Sequence, residues 1–244
     1  MDYVSVDFII ILGVIIFFTL IQSIFGVGLL VFGTPTLLLI GYSFYDTLSY
    51  LLPCSVVVSV LQLKSGWFLI RIYKSAVPQY MLPGVVFGLV IVIYYLSINL
   101  NLIIGLALLL TFLIRFIDKI NMKLENFIGN YFRLGFFFTG FVHGLTNLGG
   151  ALLVVITNFL YEDKKEIQAN IAYAYLFMAL SQLLILLISS SFLFSIEVLV
   201  LPLISGSIYI YFGRYIFKLS SDIFYHNLMS FLILVYGFLL LLNN

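Results

Sequence analysis

Long apolar stretches separated by short polar breaks make up almost the whole chain. Each stretch is long enough for a buried helix, and together they predict ten helical membrane segments, at residues 8–23, 28–41, 46–63, 78–97, 100–117, 131–145, 148–161, 167–190, 195–212 and 223–242. The first two segments of each half have only about fifteen residues, whereas a full crossing needs about twenty. We therefore expect an all-α polytopic membrane protein in which each half opens with a hairpin of two short helices that meet inside the membrane.

Each short pair could instead form one long broken helix. A continuous helix over residues 8–40 would be about 50 Å long, against a hydrocarbon core of about 30 Å. Loop charge separates the two alternatives, because cytoplasmic loops are enriched in Lys and Arg. Ten segments put every basic residue of the chain on one side: Lys64, Arg71, Lys74, Arg115, Lys119, Lys123, Arg133, Lys164, Lys165, Arg214 and Lys218. Merging the short pairs would move the last four to the opposite side, so ten segments are favoured.

The two halves also resemble each other. At an offset of 120 residues, Phe17-Phe18-Thr19 falls on Phe137-Phe138-Thr139, Asp46 on Glu166, and Gln62-Leu63 on Gln182-Leu183. Five segments per half is an odd number, so the second half must start from the opposite face of the membrane. We therefore expect an inverted repeat, a common build for secondary transporters, with residues 1–117 and 131–244 as the two repeats and 118–130 as a cytoplasmic connecting loop.

Composition supports membrane residence and excludes several classes of protein. The chain is 64% hydrophobic and 9% charged, far below the roughly 25% charged residues of soluble domains. Its net charge of +1 argues against a nucleic-acid partner. Acidic Asp2 and Asp7 stand where a secretory signal would be basic, so the first apolar run is read as a membrane segment. Cys54 is the single cysteine and forms no intrachain disulfide. We expect a multi-pass protein of the cell membrane.

The first hairpin is rich in residues that interrupt helices. Gly26, Gly28 and Gly33 permit close helix approach and unusual backbone angles, and Pro35, after Thr34, removes one helical hydrogen bond. A helix interrupted at membrane depth exposes backbone N–H groups, and a helix N-terminus attracts an anion without needing a lysine. The alternative is helix packing through small residues, which is common in membranes.

The second hairpin carries a similar interruption at the matching place. It contains, in order, Gly140, His143, Gly144, Thr146, Asn147, Gly149 and Gly150. Paired interruptions at corresponding positions indicate a transport site. Considered together, the two hairpins favour a functional interpretation over packing alone.

Polar side chains inside the predicted segments are further candidates. His143 is the one ionisable side chain placed well inside a segment, and it is either a proton relay or a neutral histidine bonded to a backbone carbonyl. Gln62 and Gln182 occupy equivalent positions, where interhelical hydrogen bonding explains them as well as substrate contact does. The remaining candidates are Ser55, near Pro53, and more weakly Asn170 and Tyr173.

No enzyme signature is present in the sequence. His143 and His226 are the only histidines, and there is no catalytic triad, phosphate-binding loop or metal-ligand cluster. Asp46 and Glu166 stand at predicted helix starts, where a carboxylate offsets the helix dipole, so capping is their expected role. We expect neither an enzyme nor a cofactor.

At these residues the chain resembles the sulfite exporter TauE/SafE family of membrane permeases. The resemblance runs through Phe25-Gly26-Val27-Gly28, Thr34-Pro35, Leu51 to Gln62 with Pro53, Ser55 and Ser59, then Pro83-Gly84 to Gly88, Gly140, Gly144 and Gly149-Gly150. It covers essentially the whole chain. It implies transport of small sulfur-containing anions, such as sulfite or organosulfonates, across the cytoplasmic membrane.

Two hypotheses follow. The first is a secondary transporter that binds a small anion where the hairpins meet, with backbone N–H groups and the side chains of Ser23, Thr34, Thr146 and Asn147 replacing its water shell. A proton is the candidate coupling ion if His143 titrates. The second is a scaffold or assembly protein whose glycines serve only packing. The sequence assigns no oligomeric state and no direction of transport.

Overall fold

A computed structural model describes residues 6–64, 66–95, 100–116, 131–219 and 222–242. All regular structure in these residues is helical, which confirms the all-α prediction. Each predicted segment corresponds to one helix, numbered here in chain order: α1 Val6–Phe25, α2 Leu29–Ile40, α3 Phe44–Leu63, α4 residues 73–95, α5 Leu100–Phe116, α6 Phe132–Thr146, α7 Gly149–Leu160, α8 Lys164–Ile188, α9 residues 196–219 and α10 Asp222–Leu242. A 3₁₀ turn, Trp67–Leu69, precedes α4. The predicted connecting loop, 118–130, lies outside the described residues.

Five of these helices are long and apolar enough to cross a membrane: α1, α3, α4, α8 and α9. The surface supports this location, because large apolar side chains such as Phe68, Phe194 and Ile188 are more than 75% exposed. Since lipid, unlike water, solvates such side chains favourably, the protein is a multi-pass membrane protein.

The helix α1 is longer than predicted. The apolar run predicts a segment that ends at Ser23, but the helix continues to Phe25 and has 20 residues, enough to cross the membrane. The reason is that its last polar side chains bond inside the protein: Ser23 Oγ donates to the carbonyl of Thr19 at 2.7 Å, and the amide of Gln22 donates to Ser59 Oγ at 3.3 Å. The expectation of two short helices is therefore wrong for α1, whereas α2, α6 and α7 are short, with 12, 15 and 12 residues.

Prolines and π turns shape α4 and α9. A π turn, Val77–Met81, joins the α-helical pieces Tyr73–Ala76 and Leu82–Tyr95, and another, Tyr209–Gly213, joins Ile196–Ile208 to Arg214–Leu219. Pro78 lies inside the first π turn, where the wider ring accommodates a residue that lacks an N–H. The helix α4 begins five residues before its predicted start at 78, and α9 continues past its predicted end at 212, so the basic residues Lys74, Arg214 and Lys218 belong to helix ends.

Many helices pack against a helix from the other half of the chain. The first helix of each half lies against the fourth helix of the other, so α6 packs on α4 and α1 packs on α9. The third helices, α3 and α8, pack on each other, as do the fifth helices, α5 and α10. The core therefore mixes both halves throughout, and α3 with α8 forms its centre.

Candidate functional site

The first break in the chain separates α1 from α2. Gly26 has a φ of +76°, a left-handed conformation that reverses the chain, and α2 folds back so that Phe32 stacks on Phe18 with ring centroids 6.1 Å apart. A Cβ on Gly28 would lie 2.5 Å from the backbone nitrogen of Gln22 and 2.9 Å from the carbonyl oxygen of Phe18. No residue larger than glycine fits there, so the hairpin depends on this close approach.

The N-terminus of α2 is partly capped by a side chain of α1. The backbone N–H of Leu29, in the first turn of α2, donates to the side-chain oxygen of Gln22 at 3.3 Å. Gln22 is fully buried and also donates to Ser59. One of the exposed N–H groups predicted for this helix is thus satisfied by a glutamine that acts as a side-chain cap.

The second break, between α6 and α7, repeats this geometry. Asn147 has a φ of +64°, and Gly149 lies against the carbonyl oxygen of Thr139 and the backbone of His143. Asn147 and Gly149 stand 121 residues after Gly26 and Gly28, so His143 is the counterpart of Gln22. The hairpins therefore correspond at an offset of 121, one residue more than the offset that matches the sequences of α3 and α8.

The two predicted glutamines hold the breaks in equivalent ways. Gln62 Nε2 on α3 donates to the carbonyl of Gln22 at 2.8 Å, and Gln182 Nε2 on α8 donates to the carbonyl of His143 at 3.4 Å. Each bonds a carbonyl in the last turns of the helix before the break. Both side chains are buried, and among the described residues neither side-chain oxygen has a hydrogen-bond partner of good geometry.

The N-terminus of α7 has different surroundings from the N-terminus of α2. The backbone N–H groups of Gly149 and Gly150 make no hydrogen bond to the described residues. His143 faces the side chain of Gln182, but neither ring nitrogen has a partner of good geometry in the part of the chain that the structure describes. His143 is fully buried, and its ring lies 5.8 Å from that of Tyr175. Among the described residues the N–H groups of Leu30 and Val31 in the first turn of α2 make no backbone hydrogen bond either, so the two breaks differ in the side chain that faces them rather than in their free backbone donors.

The breaks are in contact across the two halves. Asn147 Nδ2 donates to Thr34 Oγ1 on α2 at 2.7 Å, and a Cβ on Gly150 would lie 2.8 Å from Val31 on the same helix. On the other side, Gln168 Nε2 of α8 donates to the carbonyl of Ser23 at 2.8 Å. Since α2 residues 31 and 34 meet residues 150 and 147 in reverse order, the first turns of α2 and α7 lie side by side and antiparallel.

Other predicted residues stabilise the hairpins rather than present free groups. The hydroxyl of Thr146 donates to the carbonyl of Val142 at 2.7 Å and accepts the N–H of Leu148 at 3.2 Å. The hydroxyl of Ser23 is bonded to Thr19, as described above. Pro35 is buried inside α2, one residue after Thr34. Ser55, on α3, is the exception, because it is fully buried and its hydroxyl has no hydrogen-bond partner among the described residues.

Gly144 lies in a helix–helix contact. A Cβ at this position would overlap the carbonyl oxygen of Val85 in α4, and one on Gly88 would overlap that of Phe141 in α6. Gly84 and Gly140 make the same reciprocal contact one turn earlier. For these four glycines the packing alternative is the better explanation, because the backbones of α4 and α6 touch through them.

The remaining polar candidates lie toward the basic end of the bundle or at caps. Asn170 Nδ2 donates to the carbonyl of Glu166 at 2.8 Å, and Tyr173 packs edge-on against Trp67. Asp46 lies in the first turn of α3, where its carboxylate accepts a hydrogen bond of 2.6 Å from Ser43. Glu166, in the first turn of α8, pairs with Arg71 at 3.5 Å.

Sequence reasoning missed Gln22 and Tyr175. Gln22 precedes the first glycine motif, and only the offset of 121 residues shows that it matches His143. Tyr175 looks like an ordinary aromatic residue of α8, but it is fully buried, and its hydroxyl would lie 2.7 Å from a Cβ on Gly150. The hydroxyl faces the backbone of Val31 in α2 and has no hydrogen bond of good geometry to any residue that the structure describes. No pattern along the chain could have placed it there.

Comparison with known proteins gives one match. The family model described as Sulfite exporter TauE/SafE matches residues 10–240, nearly the whole chain. No curated protein matches, and no solved structure does. The match includes both hairpins and both glutamines, so the family model covers the whole candidate site.

Proposed function

This chain belongs to the sulfite exporter TauE/SafE family, and we propose that it is a secondary transporter that moves sulfite or an organosulfonate across the cytoplasmic membrane. Membership makes it a membrane transporter of the sulfur-anion class. The proposal adds the mode of transport, the substrates and the place where they bind, namely where the two hairpins meet.

The observation that carries the proposal is the contact between two interrupted helices. The first turns of α2 and α7 are buried side by side, joined by the bond from Asn147 to Thr34. The N-terminus of each helix carries the positive end of a helix dipole and N–H groups without helical partners. Such a place favours a small anion even though no lysine or arginine is present, because backbone donors replace part of its hydration shell.

The arrangement of basic residues supports the inverted repeat. Arg71, before α4, pairs with Glu166 of α8, and Lys164 Nζ donates to the carbonyl of Phe217 of α9 at 2.8 Å. The basic ends of α4, α8 and α9 therefore lie at one end of the bundle, as ten segments require. We place this end in the cytoplasm, with residues 1–117 and 131–244 as oppositely oriented repeats that move against each other during transport.

Cysteine labelling tests this topology. In a Cys54→Ala background, a membrane-impermeant maleimide should modify Lys74→Cys and Lys165→Cys only from the cytoplasmic side. It should modify Ser191→Cys, in the turn between α8 and α9, only from the other side. Labelling of Lys74→Cys and Lys165→Cys from opposite sides would exclude the ten-segment arrangement.

Flux into liposomes tests the function. Purified protein should move radiolabelled sulfite or an alkylsulfonate down an imposed gradient, and protein-free liposomes provide the control. Sulfate and chloride measure selectivity. A pH step across the membrane shows whether a proton is coupled, with His143 as the candidate relay. A folded protein that moves none of these anions would favour the scaffold hypothesis and refute transport.

A further inference from the structure

A groove opens on the outer surface of the bundle where the end of α3 meets α8. It has a volume of about 280 Å³, is here named the Trp67 groove, and is lined by Val60, Leu63, Lys64, Trp67 and Leu176. On α3, Val60 stands one turn before Lys64. On α8, Leu176 stands about one turn after Tyr173, which packs edge-on against Trp67. The groove therefore runs from the basic end of the bundle toward the middle of the membrane, with apolar side chains along it.

Two lysines stand at the basic end of the Trp67 groove. Lys64 directly follows the last residue of α3 and lines the groove, and Lys74 Nζ lies 5.8 Å from the centre of the Trp67 ring. Both lysine side chains are exposed. The carboxylate of Glu166, at the start of α8, is paired with Arg71 at 3.5 Å, so its negative charge is already compensated. The mouth of this apolar groove is therefore positively charged.

The equivalent connection of the second half lacks these charges. Residues 189–195 join α8 to α9 and correspond to the connection between α3 and α4, since both follow the third helix of a half. They include Phe194, which is exposed, but no Lys or Arg. Basic residues anywhere in the first connection would satisfy the positive-inside preference. That preference does not require two lysines beside the one exposed tryptophan at the mouth of an apolar groove.

We propose that the Trp67 groove binds an anionic phospholipid. The phosphate lies between Lys64 and Lys74, and the upper part of one acyl chain lies along the apolar side chains of α3 and α8. Juxtamembrane lysines attract anionic lipids, basic pockets between membrane helices hold their head groups, and a tryptophan ring suits the level of the head groups. The assignment to the cytoplasmic leaflet rests on the topology proposed above, whereas the binding itself does not.

The single tryptophan of the chain makes this groove directly observable. Bromine atoms on a lipid quench tryptophan fluorescence only at short range, so the emission of Trp67 reports which lipid lies beside it. The purified protein is reconstituted in vesicles of phosphatidylglycerol and phosphatidylcholine in equal amounts, with bromine on the upper acyl chains of one lipid or the other. Phosphatidylglycerol should quench as a lipid preferred by about fivefold or more, the factor expected for one lysine near an anionic head group. High salt should lower this preference.

Two pairs of substitutions separate the groove from the general charge of this end of the bundle. Lys64→Gln combined with Lys74→Gln removes both positive charges at the groove and should bring the two lipids to equal occupancy. Lys165→Gln combined with Lys218→Gln also removes two exposed lysines, but from the start of α8 and the end of α9. This control variant should keep the wild-type preference. Each single variant, Lys64→Gln or Lys74→Gln, should lose part of it.

Three outcomes would overturn the proposal. The first is equal quenching by both lipids in the wild type, and the second is an unchanged preference after both groove lysines are replaced. The third is an equal loss in the control variant, which would show a general attraction of anionic lipid to the basic end. No transported anion takes part in these measurements. A protein that shows the lipid preference but moves no anion would therefore overturn the proposed transport function alone.

Discussion

Replacing Gly144 with alanine tests the packing of α6 against α4. The new methyl group would overlap the carbonyl oxygen of Val85 and lie 2.8 Å from the backbone nitrogen of Leu89. Both obstacles are backbone atoms of a helix, so no rotamer change can relieve them and the two helices must separate. Overpacking of a well-packed core costs about 1–3 kcal/mol. With two backbone contacts below 3 Å, the cost should reach the upper end, about 3 kcal/mol.

Two other glycines calibrate this value. Gly33 would place its Cβ 3.0 Å from a methyl group of Leu51, a flexible side chain that can move, so Gly33→Ala should cost about 1 kcal/mol or less. Gly13 is exposed on α1 and has no atom within 4 Å of a Cβ, so Gly13→Ala should be neutral or stabilise by about 0.5 kcal/mol.

Thermal unfolding of the three variants in one detergent measures the order of their stabilities. Gly13→Ala should melt at or above the wild-type temperature, Gly33→Ala slightly below it, and Gly144→Ala lowest, by on the order of 10 °C. If Gly144→Ala and Gly13→Ala melted at the same temperature, the close approach of α4 and α6 would be refuted, and with it the packing role assigned to Gly144.

Three further predictions concern the breaks and the core. Gln22→Ala removes the cap on Leu29 and should lower the free energy of unfolding by about 1–2 kcal/mol, measured by chemical denaturation; wild-type stability would contradict the capping role. Asn147→Gly and Asn147→Ala both lose the bond to Thr34, but only glycine accepts a φ of +64° without strain, so the glycine variant should be more stable by about 1 kcal/mol. Cys54 is fully buried and should react with a maleimide only after unfolding in detergent such as SDS; rapid labelling of the native protein would contradict its position in the core.

The two hairpins show which features of the fold can be predicted from the local sequence. The positions of both breaks were predictable, because glycine and asparagine are the residues that accept a positive φ and the apolar runs on either side are short. The same reasoning failed at the end of α1, where the apolar run predicts a short segment ending at Ser23 and the helix continues to Phe25. The polarity of Gln22 and Ser23 is satisfied by Ser59 and Thr19, and a contact with α3 cannot be read from residues 22 and 23.

The glycines also show what the local sequence cannot predict, namely which of several similar residues contacts another helix. Gly144, Gly149 and Gly150 are alike in sequence, and all three were assigned to the substrate. In the structure Gly144 touches the backbone of α4, whereas Gly149 and Gly150 begin α7. An alanine at Gly149 or Gly150 would also collide, with His143 and Tyr175 respectively, so such variants would confound folding with transport.

The sequence by itself determined that the protein resides in a membrane, where its helices lie and where two of them break. These properties depend on hydrophobicity and backbone preference over about twenty neighbouring residues. Tertiary structure alone decided that the breaks meet, that Gln22 caps Leu29 at one of them, and that His143 takes the equivalent position at the other. Each of these depends on side chains brought together from distant parts of the chain, because a buried polar group is satisfied or left unsatisfied by whatever the fold places beside it.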